Sequence, residues 1–143
     1  MSLYDLLIDI YVKFGFYKER LFNIVRKGKV GADEIKSMMN EYRNNPSLSI
    51  NNSKVVKIND YENLISIDRV TGKTTGIELT KSDVLQFYLE DGSKISVRPS
   101  GTEPKIKFYF SVNTKLKSAD KFEETEKILD QRISDIINDM KLL

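Results

Sequence analysis

The residues of this chain that are best suited to chemistry lie in one short loop, residues 98–105, which reads RPSGTEPK. Arg98 can offer two parallel N–H bonds to an oxyanion, and the hydroxyls of Ser100 and Thr102 are further donors. Gly101 lets the main chain come close to a ligand, while the two prolines of the loop restrict its freedom. This combination is suited to holding a dianion such as a phosphate.

Cations on the segment after the loop would complete the charge balance around a phosphate. Lys105 and Lys107 alternate with apolar residues in KIKFYF, so on a strand they would point to the same side as Arg98 if the register holds. Pro, Ser, Gly and Thr are also ordinary turn residues between two strands. The residue types alone therefore leave anion binding and a plain turn equally open.

Composition removes many other kinds of chemistry. The 143 residues contain no Cys and no His, which excludes disulfides, Ser-His or Cys-His catalysis and most zinc sites. A net charge of +2 is far from the basic surplus of a dedicated nucleic-acid-binding domain. No apolar run approaches the roughly 20 residues of a membrane helix, and the N-terminus lacks a signal-peptide pattern. We therefore expect a cytoplasmic protein.

The elements that must position the loop follow from the hydrophobic pattern. Apolar residues at helical spacing predict an amphipathic helix over residues 3–14, begun by Ser2 and ended by Gly15. Residues 16–25 have the aromatic and β-branched composition of a strand. The sequence RKGK at 26–29 is interpreted as a basic turn.

The middle of the chain is less regular. Residues 31–43 have the pattern of a second helix, and residues 54–58 that of a short strand. We interpret residues 59–80 as an extended excursion, with a brief strand possible in its centre, at Ile65, Ile67 and Val70.

Strict alternation of apolar and polar residues predicts a hairpin over residues 84–98, turned at Asp91-Gly92. A further strand follows the loop at residues 105–110, and Ser118 opens a long final helix. Strands with one apolar and one polar face need helices on one side only. The expected fold class is therefore α+β, an antiparallel sheet with two helices packed on one face, plus a leading helix.

The loop RPSGTEPK, between FYLEDGSKISV and IKFYFSV, closely resembles the phosphate-binding loop of the α-D-phosphohexomutase family. Within that family it looks like the bacterial phosphoglucomutases and phosphomannomutases. SLYDLL, YKE at 17–19, RNNP at 43–46 and KSDVLQFYLEDG at 81–92 are also similar to segments of these enzymes. The resemblance implies a TATA-box-binding-protein-like C-terminal domain over residues 16–143, with residues 1–15 as a leading helix from the inter-domain linker.

The resemblance also implies a function for the loop. Such enzymes interconvert hexose 1-phosphate and hexose 6-phosphate through a bisphosphorylated intermediate, and their fourth domain holds the phosphate that is not reacting. The implied phosphate-binding residues are those that match the family motif, with two alternatives for the added cation: Arg98, Ser100, Gly101, Thr102 and Lys107 or Lys105. The implied partners are glucose or mannose phosphates and the other domains of the full-length enzyme.

Other parts of the family pattern are absent from this sequence. We find no catalytic-serine segment, no Asp-rich metal loop and no Gly-Glu-x-Ser sugar loop. The resemblance therefore implies no catalytic residue, no metal ligand and no cofactor in this chain, with Mg²⁺ required by the full-length enzyme. We expect the chain alone to be inactive.

Two alternative functions remain open at this point. A stand-alone nucleic-acid-binding module could use Lys105, Lys107 and Tyr109 on one sheet face, and a phospho-ligand sensor could use the same loop. Against the first, IKFYFSV lacks the glycines of the RNA-recognition strand motif. The resemblance implies neither a nucleic-acid nor a membrane partner.

Overall fold

The computed structural model describes residues 2–142 and arranges them as an antiparallel sheet with helices on one side. Met1 and Leu143, the outer ends of the ranges 1–15 and 16–143, lie outside the described residues. In chain order the elements are α1 (Leu3–Phe14), β1 (Phe16–Val25), α2 (Gly28–Asn44), β2 (Ser49–Ile50), β3 (Ser53–Asp60), β4 (Ile65–Asp68), β5 (Thr74–Gly76), β6 (Leu85–Leu89), β7 (Lys94–Pro99), β8 (Lys105–Thr114) and α3 (Phe122–Asp139). The expected α+β class is confirmed.

The strands follow the order β1-β8-β7-β6-β3-β4-β5, and β2 pairs with β3 beside this path. Side chains alternate between the two faces of each strand, which is clearest along β8. Ile106, Phe108, Phe110 and Val112 are buried there, whereas the residues between them are half-buried or exposed. We call the surface that carries Lys105, Lys107 and Tyr109 the open face.

The apolar face of the sheet is covered by α2 and α3. Tyr42 of α2 meets the rings of Phe87 and Phe108 edge-on, at centroid distances of 6.3 and 6.1 Å. Leu129 and Ile133 of α3 are fully buried in the same core cluster. The predicted layer of two helices on one face of the sheet is therefore confirmed.

The leading helix α1 is closed by local hydrogen bonds and packs at one end of this core. Ser2 and Asp5 form a capping box, in which each side chain accepts the other residue's main-chain N–H. Tyr11 contacts the ring of Phe16 at a centroid distance of 4.7 Å. The bounds predicted for this helix, residues 3–14, are those observed. Within residues 2–142, none of the helices combines the length and apolar character that crossing a bilayer requires.

The starts of two helices differ from the prediction. Helix α2 begins at Gly28 rather than at residue 31, so the basic turn at 26–29 is reduced to Arg26 and Lys27. The exposed first turn of α2 carries no apolar pattern, which is why its start was missed. Ser118 is followed by a short 3-10 turn at Ala119–Lys121, and α3 itself begins at Phe122.

The excursion at 59–80 contains a hairpin formed by β4 and β5. Ile65 and Ile67 lie on β4 as predicted, but Val70 lies in the turn and is exposed. The turn forms there because the Asp68 carboxylate accepts the N–H groups of Val70 and Thr71. These bonds, from Thr71 and then Val70, hold the pKa of Asp68 below its usual value.

Candidate functional site

Two cations lie side by side on the open face where β7 ends. Arg98 is directly opposite Lys107 in the register of β7 with β8, and Lys105 lies two residues earlier on the same face of β8. Within residues 2–142, none of the three forms an ion pair. Like charges directly opposite each other in a sheet are destabilising, and a bound anion would relieve that repulsion.

The connection from β7 to β8 is closed by its own hydrogen bonds. Ser100 donates its N–H to the carbonyl oxygen of Lys105 at 2.8 Å. The Oγ of Ser100 accepts the N–H groups of Thr102 and Glu103 at 3.4 and 3.3 Å. Because this oxygen acts as an acceptor, the hydroxyl proton of Ser100 remains available to a ligand.

Gly101 stands at the tip of this loop, and the fold does not require a glycine there. Its φ is not positive, and a Cβ added to it would meet no atom within 4 Å. Neither backbone conformation nor packing against the described residues explains the absence of a side chain. A ligand that approaches the main chain closely would explain it.

A cavity of about 330 Å³ separates this loop from α2. Lys36 and Asp83 line it together with predicted residues of the loop, Ser100, Gly101 and Thr102. Lys36 is not among the predicted site residues, because nothing in the pattern of α2 relates it to a loop so far along the chain.

The predicted site residues therefore fall into two groups on two sides of one loop. The hydroxyls and the glycine border the cavity beside α2, whereas Arg98, Lys105 and Lys107 are not among the residues that line it. The cations instead stand on the open face, where the register places Arg98 and Lys107 together. The two groups come close at residues 98–100, where the chain passes from β7 into the loop, and where Ser100 bonds the main chain of Lys105.

The base of the loop is attached to the chain entering α2. Arg26 donates its N–H to the carbonyl oxygen of Pro104 at 2.8 Å, and its Nε lies 3.0 Å from Oε2 of Glu34 on α2. Sequence analysis also missed this contact. The available signal was the basic cluster RKGK, which begins at Arg26.

A second polar cluster lies beside the cavity, around Arg43 of α2. Its guanidinium contacts three carboxylates, those of Asp60 at 3.2 Å, Glu62 at 2.8 Å and Asp83 at 2.8 Å. Burial lowers the pKa of Arg43, but the hydrogen bond to Asp83 and the charges of the three carboxylates outweigh burial and raise it. The Arg43 guanidinium therefore stays charged, and its hydrogen bond fixes Asp83, one wall of the cavity, to α2.

The described residues do not fit a metal ion. Mg²⁺ prefers carboxylate, phosphate and water oxygens in octahedral geometry, and residues 2–142 contain no group of three or more Asp, Glu, His or Cys side chains that could hold a metal. Asp83, one of the two carboxylates that line the cavity, already accepts a hydrogen bond from Arg43. The Mg²⁺ that the resemblance implies remains an expectation for the full-length enzyme.

Comparison with known proteins identifies relatives that match most of the chain. Phosphoglucomutase of Staphylococcus saprophyticus is 42% identical over 104 residues, which are 73% of this chain and 19% of that protein. Phosphoglucomutase of Staphylococcus epidermidis is 33% identical over 133 residues, which are 93% of this chain and 22% of that protein. The chain thus spans 19% and 22% of the length of these two curated relatives.

A solved structure of parafusin, a phosphoglucomutase from Paramecium in its open form, aligns with a TM-score of 0.43 and 16% identity over 96% of this chain and 23% of its own. None of these comparisons favours the nucleic-acid-binding or sensor alternative. Residues 50–128, more than half of the 143, match the family described as phosphoglucomutase/phosphomannomutase, C-terminal domain. The chain therefore belongs to the C-terminal domain family of phosphoglucomutases and phosphomannomutases.

Proposed function

We propose that loop 98–105 holds the non-reacting phosphate of a hexose phosphate, in an enzyme that interconverts hexose 1-phosphate and hexose 6-phosphate. The observation that carries this proposal is the pair of Arg98 and Lys107. Two cations directly opposite each other, with no carboxylate partner within residues 2–142, stand next to a loop rich in donors. A phosphate dianion supplies the missing charge.

Each side chain has a distinct part in this arrangement. The planar fork of Arg98 can bond two phosphate oxygens at once, which a lysine cannot do. Ser100 donates its free hydroxyl proton, Thr102 offers a second hydroxyl, and Gly101 leaves room for the ligand. Lys107 supplies further positive charge, because it lies opposite Arg98, and Lys105 extends the cationic surface.

The remaining parts of the activity are assigned to the rest of a full-length enzyme. We infer that residues 1–15 link this domain, residues 16–143, to preceding domains in the cytoplasm. Those domains would supply the phosphoserine, the Mg²⁺ site and the loop that distinguishes glucose from mannose phosphates. No catalytic residue is assigned to this chain.

The direct test is a titration of the ¹⁵N-labelled chain with glucose 6-phosphate, followed by NMR. We expect the largest amide shifts at Arg98 and residues 100–102, because Pro99 has no amide N–H. Binding should be weak, because the contacts of the other domains are missing. Unphosphorylated glucose at the same concentrations serves as the control and is expected to leave these amides unchanged. Saturating ligand without a response in the loop would contradict the proposal.

Replacing Gly101 with alanine is expected to weaken hexose phosphate binding about tenfold. This decrease in affinity is about as large as that caused by losing one good hydrogen bond. The new methyl group would occupy the space that the ligand needs, although it meets no protein atom within 4 Å. Thermal stability should stay the same or rise slightly, because alanine restricts the unfolded chain. The dissociation constant from the titration and the Tm together check both effects.

The matched control for this change is Gly76→Ala on β5. Gly76 is also free of steric contact and lacks a positive φ, but it lies outside the loop. Gly76→Ala should therefore bind the ligand like the unmodified chain. Equal binding by both alanine variants would mean that the ligand does not approach Gly101.

The purified chain is expected to show no mutase turnover of glucose 1-phosphate above the buffer background. The chain supplies the proposed contacts to the non-reacting phosphate, but it lacks the catalytic-serine segment that carries the phosphate donor in this family. An assay coupled to glucose 6-phosphate oxidation measures this with high sensitivity. Reproducible turnover that co-purifies with the chain would contradict this expectation.

A further inference from the structure

Gly31 in α2 is buried and unusually close to the residue that precedes the helix cap. A Cβ added at Gly31 would lie 2.7 Å from Cβ of Arg26 and 2.8 Å from its carbonyl carbon. A main-chain carbon cannot move aside as the end of a flexible side chain can. Arg26 precedes the N-cap and Gly31 is the fourth residue of the helix. At these two positions, a pair of apolar side chains often fixes the chain that enters a helix. Here the chain itself lies directly on the helix.

This close approach determines where Arg26 can place its N–H group. From that position the group donates to the carbonyl oxygen of Pro104 at 2.8 Å, at the base of the loop. The ion pair of Arg26 with Glu34, at 3.0 Å, holds the same residue from the other side. Val25, the preceding residue, pairs with Lys105 in the register of β1 with β8. The start of α2 is thus linked to the loop through one residue.

We propose that Arg26 and Gly31 are positioning residues for the phosphate-binding loop, an inference that rests on the proposed function of that loop. The bond from Arg26 to Pro104 holds the second half of the loop against the chain that enters α2. Because Ser100 donates its N–H to the carbonyl oxygen of Lys105, the residue after Pro104, a shift of Pro104 would also move Ser100. A binding constellation must be held to within about 0.5 Å of its productive geometry. An added methyl at Gly31 would displace Arg26, and with it Pro104, by more than this tolerance.

The test compares Gly31→Ala with Gly76→Ala in the ¹⁵N-labelled chain. Gly31→Ala is expected to shift the amide signals of Arg26, residues 100–103 and Lys105 in the free protein, Pro104 having no amide N–H. It is also expected to weaken glucose 6-phosphate binding about tenfold. Alanine is the better helix former, so the Tm should not fall in proportion to the affinity. A merely structural glycine would lower the Tm and leave the affinity of the folded fraction unchanged.

A second measurement needs no substitution and covers the case in which Gly31→Ala does not fold. Hydrogen exchange at the Arg26 amide should be slow in the free chain and slower still with ligand bound, because the loop that accepts its hydrogen bond becomes ordered. Fast exchange in both states, or loop signals and affinity in Gly31→Ala equal to those of Gly76→Ala, would overturn the inference. If the unmodified chain bound no ligand, the proposed function would fail, and the free-state amide shifts and exchange rates would still decide whether Arg26 positions the loop.

Discussion

Replacing Arg43 with alanine is expected to lower the free energy of unfolding by about 3 kcal/mol, at the lower end of the range for breaking a buried ion pair. The side chain of Arg43 is 13% exposed and that of Asp60 is 6% exposed. Without the guanidinium, Asp60 would remain buried beside Glu62 and Asp83 with no cation. The loss stays at the lower end because the Asp60 carboxylate also accepts three N–H groups from the turn after β3.

Thermal and denaturant unfolding measure this effect, and a fall in Tm of about 10 °C is expected for a chain of this size. Arg20→Ala is the matched control. Arg20 lies 3.6 Å from Asp130, which keeps a closer partner in Lys18 at 2.8 Å, so its loss should amount to at most about 1 kcal/mol. A loss for Arg43→Ala no larger than for Arg20→Ala would show that the cluster is not a stabilising unit.

A double variant separates the unpaired charge from the lost packing of the arginine stem. In the Arg43→Ala background, Asp60→Asn removes the buried charge while keeping the size of the side chain. If the unpaired charge causes the loss, Asp60→Asn should recover part of the stability in this background and reduce it in the unmodified chain. The same effect of Asp60→Asn in both backgrounds would attribute the loss to packing instead.

The sequence predicts most of the scaffold because much of the scaffold depends on short-range patterns. The capping box of Ser2 and Asp5 and the alternation along β1 involve residues that are close in the chain, so they are legible without the fold. The start of α2 is not legible, because the side chains of its first turn are exposed and Gly31 replaces an apolar residue at the first buried position. The hairpin of β4 and β5 is short, β4 is mostly half-buried and β5 is exposed, which weakens the hydrophobic periodicity of the hairpin.

The candidate site was predictable where two adjacent strands define it. Period-two alternation on both sides of one loop is enough to place Arg98 and Lys107 on the same face, and the register confirms this. The contacts of Arg26 with Pro104 and of Arg43 with Asp83 join elements that are distant in sequence. They arise only when α2 packs on the sheet, and no local pattern encodes them. A single sequence therefore indicates the residues proposed to face the ligand but not those that hold them in place.

Replacing Arg98 with lysine is expected to weaken glucose 6-phosphate binding by roughly 10- to 150-fold, the equivalent of one hydrogen bond to a charged group of about 1.5–3 kcal/mol. The charge is kept, so the loss measures the bidentate geometry that only the guanidinium provides. Arg98 forms no ion pair within residues 2–142 and is exposed. Its replacement should therefore leave the Tm nearly unchanged. Isothermal titration or NMR titration gives the affinity, and thermal unfolding gives the stability.

Lys94→Gln is the control that removes a positive charge from the open face at a distance from the loop. Lys94 stands on the same strand and face as Arg98, but it pairs with Ser111 at the far end of β7. If affinity depends only on the positive charge of the open face, Lys94→Gln should bind more weakly than Arg98→Lys, because only Lys94→Gln removes a charge. If the loop binds phosphate through the Arg98 fork, Arg98→Lys should lose far more affinity than Lys94→Gln, and added salt should weaken both variants alike. The two orders of affinity cannot both occur, so one comparison decides whether the site is a specific phosphate-binding loop or a basic surface.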